Sequence, residues 1–217
     1  DPQGRETVLD FVPKKFRGLR LYPVGRLDYF SEGLLILTND GPLAQQLMHP
    51  SCSRGKTYEV LVRGNAPEEA LDIMRRGMVL AEGDRTAPVK ITAGSTPRGN
   101  TALTFTLHQG LNRQIRRMCR DVGLTILRLR RISEGPLRLG NLAAGAVREL
   151  TPEEMEQFLG VKYVEDEDST ESWGEGYLVV DFPGPDENSR LHVLFKADEN
   201  GKYTPSSMSP TGKLMGD

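Results

Sequence analysis

The apolar positions of the chain fall into short groups whose spacing changes from one segment to the next. Gly33–Thr38 is a continuous apolar run, short enough for a buried strand. Lys56–Val62 alternates Tyr58, Val60 and Val62 with Thr57, Glu59 and Leu61, the two-residue period of a strand. Val89–Thr92 and Thr101–Leu107 read as further strands, separated by the turn cluster Gly94–Asn100. Leu124–Arg130 and the stretch around Leu137–Leu139 read the same way. Helical spacing replaces this period in four places. Asp40 caps a short helix with Pro42 in its first turn and Leu43, Leu47 and Met48 apolar on it. Pro67–Arg76 carries Ala70, Leu71, Ile73 and Met74. Asn112–Val122 sets Ile115, Met118, Cys119 and Val122 on one face. Thr151-Pro152-Glu153-Glu154 combines a capping-box spacing with proline at the first helical position, starting a helix through Leu159.

Composition narrows the class. The chain has 217 residues, 37% hydrophobic and 27% charged, with a mean hydropathy of −0.43. That is polar for a globular chain and too apolar for a disordered one. No apolar run approaches the roughly 18 residues of a membrane helix, and Asp1-Pro2-Gln3-Gly4-Arg5 does not read as a signal peptide. Two cysteines, Cys52 and Cys119, make no disulfide scaffold, and no Cys/His cluster has zinc spacing. A cytoplasmic protein with no membrane partner and no metal is expected.

The net charge of −2 conceals a division. Residues 1–150 hold 23 Lys/Arg against 15 Asp/Glu, whereas residues 151–217 hold 5 against 15. A basic body suits a polyanionic partner, and an acidic tail is usually solvated. Composition shifts at Val164, which divides the chain into a body of residues 1–163, an acidic linker 164–176 and an extension 177–217. In the extension, Gly176–Phe182 and Leu191–Phe195 are expected to pair as strands.

Candidate chemistry concentrates in two segments. Arg113, Arg116, Arg117 and Arg120 lie at i, i+3, i+4 and i+7, a basic stripe opposite the apolar face of Asn112–Val122. Such a stripe is either a solvated face or a phosphate-binding one. The absence of any Asp or Glu between Asp84 and Asp121 favours phosphate. Arg128, Arg130 and Arg131 extend the positive region. Gly25-Arg26-Leu27-Asp28 places an Arg-x-Asp triplet before the buried run, although a lone triplet of this kind is usually a structural ion pair. His49 and His108 have no triad or metal partner readable from the sequence, so capping or solvated roles fit both.

Taken together, the segments resemble a known family. Gly25-Arg26-Leu27-Asp28-Tyr29-Phe30-Ser31-Glu32-Gly33 through Gly41 resembles the signature of the ribosomal RNA pseudouridine synthases, type A of which serves the small subunit while types B, E and F serve the large one. Lys56-Thr57-Tyr58-Glu59-Val60 resembles that family's second motif, and Gln109-Gly110-Leu111-Asn112-Arg113-Gln114-Ile115-Arg116-Arg117-Met118 its third. Asp1–Val8 and Gly145–Thr151 resemble its flanks. The likeness spans about residues 1–160, with the motifs in the family's order. Many relatives have Glu-Gly where this chain has Gln109-Gly110. The third motif is most like the F type and the first more like the B type, so the target uridine stays open. The family's small N-terminal RNA-binding domain and Lys-Pro strand are not found ahead of Asp1, so the resemblance has the chain begin inside the catalytic domain.

What the resemblance implies is specific. The fold would be α+β, a central, mostly antiparallel mixed sheet with flanking helices. The reaction would break the N1–C1′ bond of a uridine in ribosomal RNA, most fittingly of the large subunit, turn the base and rejoin it through C5. No cofactor is required by that redox-neutral isomerisation, and the base must be flipped out of the RNA to be reached. Asp28 would act at the ribose, attacking C1′ or removing a C2′ proton. Arg116 would form the ion pair that keeps it charged, with Arg26 as second candidate. Tyr58 would stack on the uracil close to C5. Arg26, Asn112, Arg113, Arg117, Arg120, Arg128 and Arg130 would hold the RNA, and a monomer is expected. Two other readings compete. An inactive RNA-binding or ribosome-assembly module would need the basic helix but not Asp28 and Tyr58 together. A glycosidase would pair Asp28 with Glu32 but would have no use for the arginines.

Overall fold

Glu32–Thr38 (β2) is buried along its whole length in the computed structural model, which describes residues 7–16, 18–49, 54–159 and 177–181. A strand covered on both faces needs no polar alternation, which is why this segment reads as one apolar run. Leu34 and Ile36 point into a cluster with Val24, Leu43, Leu47 and Phe158. Leu35 and Leu37 point the other way, into a cluster with Val12, Phe16 and Leu21.

The fold is α+β. The described residues fall into two compact units, the first drawn from Asp1–Leu27, Glu32–Cys52 and Pro136–Asp217, the second from Asp28–Ser31 and Ser53–Gly135. In the first, Tyr22–Val24 (β1) pairs antiparallel with β2. Following β2, Gly41–Met48 (α1) starts where Asp40 Oδ1 accepts from Leu43 N at 2.9 Å. Thr38 Oγ1 accepts from Asp40 N at 3.0 Å and ties that cap to the strand. Leu43, Ala44 and Leu47 are the buried positions of α1, whereas Met48, expected among them, is 51% exposed.

The second unit is a four-strand array covered on one face by helices. Lys56–Val62 (β3) is flanked by Thr101–Leu107 (β5) and Ile126–Glu134 (β6), with Lys90–Ser95 (β4) beyond β5, all antiparallel. Glu68–Arg76 (α2) buries Ala70, Leu71 and Met74, leaving Ile73 exposed. Gln114–Asp121 (α3) buries Ile115, Met118 and Cys119, and these close over Val60, Val62 and Phe105. Burial pushes the Cys119 thiol up to about 12, so it packs as an apolar group and not as a nucleophile.

Returning to the first unit, Leu137–Arg138 (β7) precedes Val147–Leu150 (β8). Pro152–Leu159 (α4) then opens on the expected capping box. Thr151 N donates to Glu154 Oε2 at 2.9 Å and Glu154 N donates to Thr151 Oγ1 at 3.2 Å. Tyr177–Asp181 (β9) falls within the expected strand Gly176–Phe182, but with neighbours the sequence did not suggest. It lies antiparallel between β2 and β8, with Leu35 opposite Val180 and Val147 opposite the same residue. Its expected partner, Leu191–Phe195, lies outside the described residues, as do the linker 164–176 and the rest of the extension.

α3 is held on its outer side by charge. Arg117 donates to Glu82 Oε2 at 3.0 Å, to Asp84 Oδ2 at 2.5 Å and to the Asn112 carbonyl at 3.2 Å. Arg120 sits 2.7 Å from Glu82 Oε1 and 2.7 Å from Asp121 Oδ1. Asp121 Oδ2 accepts from Ala81 N at 2.8 Å. Exposed single pairs contribute little, but here two arginines and three carboxylates share one geometry and clip the Leu80–Asp84 turn to the helix. The Arg120 hydrogen bond, more than any other influence, holds the Glu82 carboxyl down to about 2.

Two outcomes follow. Gly77 ends α2 at φ 82°, ψ 146°, and a Cβ there would lie 2.6 Å from the Thr86 carbonyl oxygen. Gly77→Ala should therefore cost more than the roughly 1–3 kcal/mol expected for such backbone alone. Gly99→Ala, at φ 71° with open space around it, should cost the conformational part only. Urea midpoints of the two variants give the comparison, and equal losses would mean that the Thr86 carbonyl yields. Glu82 has a folded pKa below its ordinary 4.5, so its contribution is full above that pH and fades as pH falls toward about 2. Between those limits the wild type should lose stability more steeply than Glu82→Gln, as acid titrations of the urea midpoint would show.

Candidate active site

Asp28 occupies the first position of a turn closed by Ser31 N donating to the Asp28 carbonyl at 2.8 Å. Its side chain is 20% exposed and lies 3.9 Å, Oδ2 to Nη1, from Arg113. Arg113 immediately precedes α3 with φ 49° and ψ 33°, the one left-handed non-glycine among the described residues. This conformation shortens the expected helix by two residues and takes Arg113 out of the helical stripe. A side chain held in that region is strained, and such strain concentrates where a group must be aimed. The N-terminal end of α3 is further fixed from inside by the buried Gln114, whose Oε1 accepts from Leu111 N at 3.3 Å.

Arg116, the expected ion-pair partner of Asp28, does something different. Its Nη2 donates to the Phe30 carbonyl and, at 3.1 Å, to Ser31 Oγ. It therefore grips the backbone of the Asp28 turn, while the cation at ion-pair distance from the carboxylate is Arg113. Burial pushes the Arg116 pKa down and Arg113 adds to this, with the Asp28 charge acting in the opposite sense. The guanidinium stays charged because arginine starts so high. Its Nε is buried with no acceptor among the described residues.

The other sequence candidates are distributed unevenly. Arg117 and Arg120 do not present free cations: carboxylates distant in sequence occupy both, which corrects the expectation of an acid-free basic stripe. Arg128 and Arg130 alternate along β6 with core-facing Leu129 and so stand on the face of the sheet turned away from the α3 cluster. Arg131 is buried, opposite Tyr58 on β3 and 3.8 Å from Glu134. Tyr58 is half-buried at the end of the core-facing row of β3, and no hydrogen bond joins it to Asp28 among the described residues. Asn112 is exposed, and Arg26 is exposed in the first unit. Gln109, where many relatives carry Glu, uses both ends of its amide: Oε1 accepts from Ala87 N at 2.8 Å and Nε2 donates to the Arg85 carbonyl at 3.3 Å. Among the described residues no group of His, Cys, Asp and Glu is placed to hold a metal ion, and no helix is long and apolar enough to cross a membrane.

The sequence reading misses Glu82 and Asp84, which no local pattern marks, and meets Ser31 only as a motif residue; each acquires its partner through tertiary contact. The aromatic pair Tyr29–Phe30 is visible in the sequence only as motif residues. In the structure the two rings are 54% and 64% exposed and meet edge to face, with centroids 4.9 Å apart.

The same segments match known proteins. A family model described as RNA pseudouridylate synthase matches residues 4–121. The chain is 42% identical over 162 residues to a Bacillus subtilis protein named ribosomal large subunit pseudouridine synthase B, covering 72% of this chain and 64% of that one. It is 39% identical over 164 residues to a Vibrio parahaemolyticus protein named ribosomal large subunit pseudouridine synthase E, covering 69% and 67% respectively. An uncharacterized RNA pseudouridine synthase of Aquifex aeolicus is 40% identical over 166 residues, and this chain spans 66% of its length. A crystal structure of a pseudouridylate synthase superposes with a TM-score of 0.61 at 27% identity, covering 70% of this chain and 64% of that chain. With its motifs in order, its α+β fold shared and its Asp28 turn braced by α3, the chain belongs to the RNA pseudouridylate synthase family.

Proposed function

We propose that the protein isomerises uridine to pseudouridine in ribosomal RNA of the large subunit, with Asp28 acting at the ribose. The observation that carries this reading is the placement of the Asp28 carboxylate: one-fifth exposed, 3.9 Å from Arg113, on a turn that Arg116 holds by its backbone. A carboxylate that attacks C1′ or removes a C2′ proton has to be aimed at the ribose, and Arg113 beside it and Arg116 on the backbone of its turn hold it in place. Tyr58 stacks on the uracil and lies near C5, where the proton leaves as the new bond forms. The reaction has no redox step, so the chemistry asks for no cofactor and no metal. We place it in the cytoplasm as a monomer.

RNA is held chiefly by the exposed Arg26, Asn112 and Arg113. Arg117 and Arg120 serve binding indirectly by fixing α3. Arg128 and Arg130 meet RNA only where a further stretch reaches the other sheet face. An inactive RNA-binding module would share all these contacts but would not depend on Asp28.

Asp28→Asn is nearly isosteric and cannot be a nucleophile or base. Single-turnover release of tritium from 5-tritiated uridine in a ribosomal RNA fragment should fall by roughly 10³-fold or more, with RNA affinity retained. Near-normal release by the folded variant would defeat the proposal. Arg113→Gln should weaken RNA binding and lower its salt slope by about one unit or less. Arg117→Gln should instead lower the urea midpoint and leave that slope largely intact.

A further inference from the structure

The Asp28 turn displays two large aromatic rings to solvent. Tyr29 and Phe30 are 54% and 64% exposed and belong to neither hydrophobic cluster of the first unit nor that of the second. The backbone beneath them is nevertheless fixed. Arg116 holds the Phe30 carbonyl and Ser31 Oγ, and Ser31 N closes the turn onto the Asp28 carbonyl. The edge-to-face contact, with ring planes at 85°, sets the two rings against each other. An aromatic ring kept in water on a braced backbone, one or two residues from a candidate catalytic carboxylate, is arranged for an external partner.

We propose that Phe30, buttressed by Tyr29, is a stacking platform for an unpaired RNA base next to the target uridine, and so positions the strand after the uridine has flipped. Charge complementarity selects the occupant. Arg113, 45% exposed on its side chain, lies 3.9 Å from Asp28, so a phosphate beside the flipped nucleotide has a cation close to the turn that carries the rings. Stacking tolerates every base, since each has a π-face, which suits a platform that positions without reading sequence. Flipping removes one base from its stack and exposes the face of the next. A flat ring at that point replaces the lost neighbour and slows return of the uridine. Phe30 is thus a positioning residue, and this inference rests on the proposed action on RNA.

The test uses the full chain carrying Asp28→Asn, so that no turnover intervenes, and short single-stranded oligoribonucleotides with 2-aminopurine on either side of a central uridine. Binding should quench the probe on one side. Phe30→Ala should remove that quenching and weaken affinity by roughly fivefold or more, the lower end expected for one base–aromatic stack, while the salt slope stays unchanged. Phe30→Trp should restore both. Phe30→Leu, apolar and branched but without a π-face, should restore neither. An oligonucleotide with an abasic position in place of the probe should bind the wild-type ring and Phe30→Ala alike. Unchanged affinity and quenching in a folded Phe30→Ala protein would overturn the proposal, as would full rescue by leucine. A change confined to self-association, read by light scattering, would assign the rings to a protein partner and overturn it equally. Pseudouridine formation is assayed separately with Asp28 restored: its absence, with stacking present, would defeat the enzymatic reading alone.

Discussion

The grip of Arg116 on the Asp28 turn is the contact on which the candidate site depends. A guanidinium on α3 reaches a backbone carbonyl and a hydroxyl more than eighty residues earlier in the chain, and among the described residues no other element of the second unit is seen to brace Phe30 or Ser31. Placing a half-buried cation there is costly in solvation, and burial together with Arg113 depresses its pKa. The nearby Asp28 charge offsets part of that. Brace and acid are therefore mutually supporting: the turn aims the carboxylate because Arg116 holds it, and Arg116 tolerates its site partly because the carboxylate is there.

The brace is only as firm as the helix that carries it. α3 is eight residues long, too short to persist by its own propensity. Two things hold it: the apolar row of Ile115, Met118 and Cys119 on its inner side, and the carboxylates of Glu82 and Asp84 on its outer side. A three-step support results, in which an acidic turn holds a basic helix, the helix holds a second turn, and that turn presents Asp28. Arginines that look alike in the sequence thus do different work. Arg113 faces the carboxylate, Arg116 the backbone, and Arg117 and Arg120 the scaffold.

That difference marks where sequence reading succeeds and where it stops. The strand periods of Lys56–Val62 and Thr101–Leu107, the Asp40 cap and the Thr151–Glu154 box are local, and the structure reproduces them, whereas the strands expected at Val89–Thr92 and Leu124–Arg130 run on to Ser95 and Glu134. The family likeness, also carried by short contiguous motifs, is confirmed. Partnerships across distance are not legible. Nothing near Arg117 announces Glu82 and Asp84, which arrive through folding of a remote turn. The start of α3 is misplaced because helical spacing continues through Arg113 while its backbone turns left-handed. Met48 and Ile73 fit the helical period yet face solvent, since a period fixes a face only up to its edge. β9 has β2 and β8 as neighbours because strand pairing is set by available edges, which composition does not reveal.

The double burial of β2 carries a consequence for how the chain finds its alignment. In a strand with one wet face, sliding by a single residue throws every apolar side chain into water, and that penalty locks the alignment. β2 has no wet face: Leu34 and Ile36 on one side and Leu35 and Leu37 on the other are nearly interchangeable in size and polarity. A one-residue slide along its interior would exchange one oily surface for another at small cost. Alignment must then be enforced at the strand's end, where Thr38 binds Asp40 N and Asp40 caps α1. A few polar atoms at the exit of β2 act as the stop that its greasy middle does not provide.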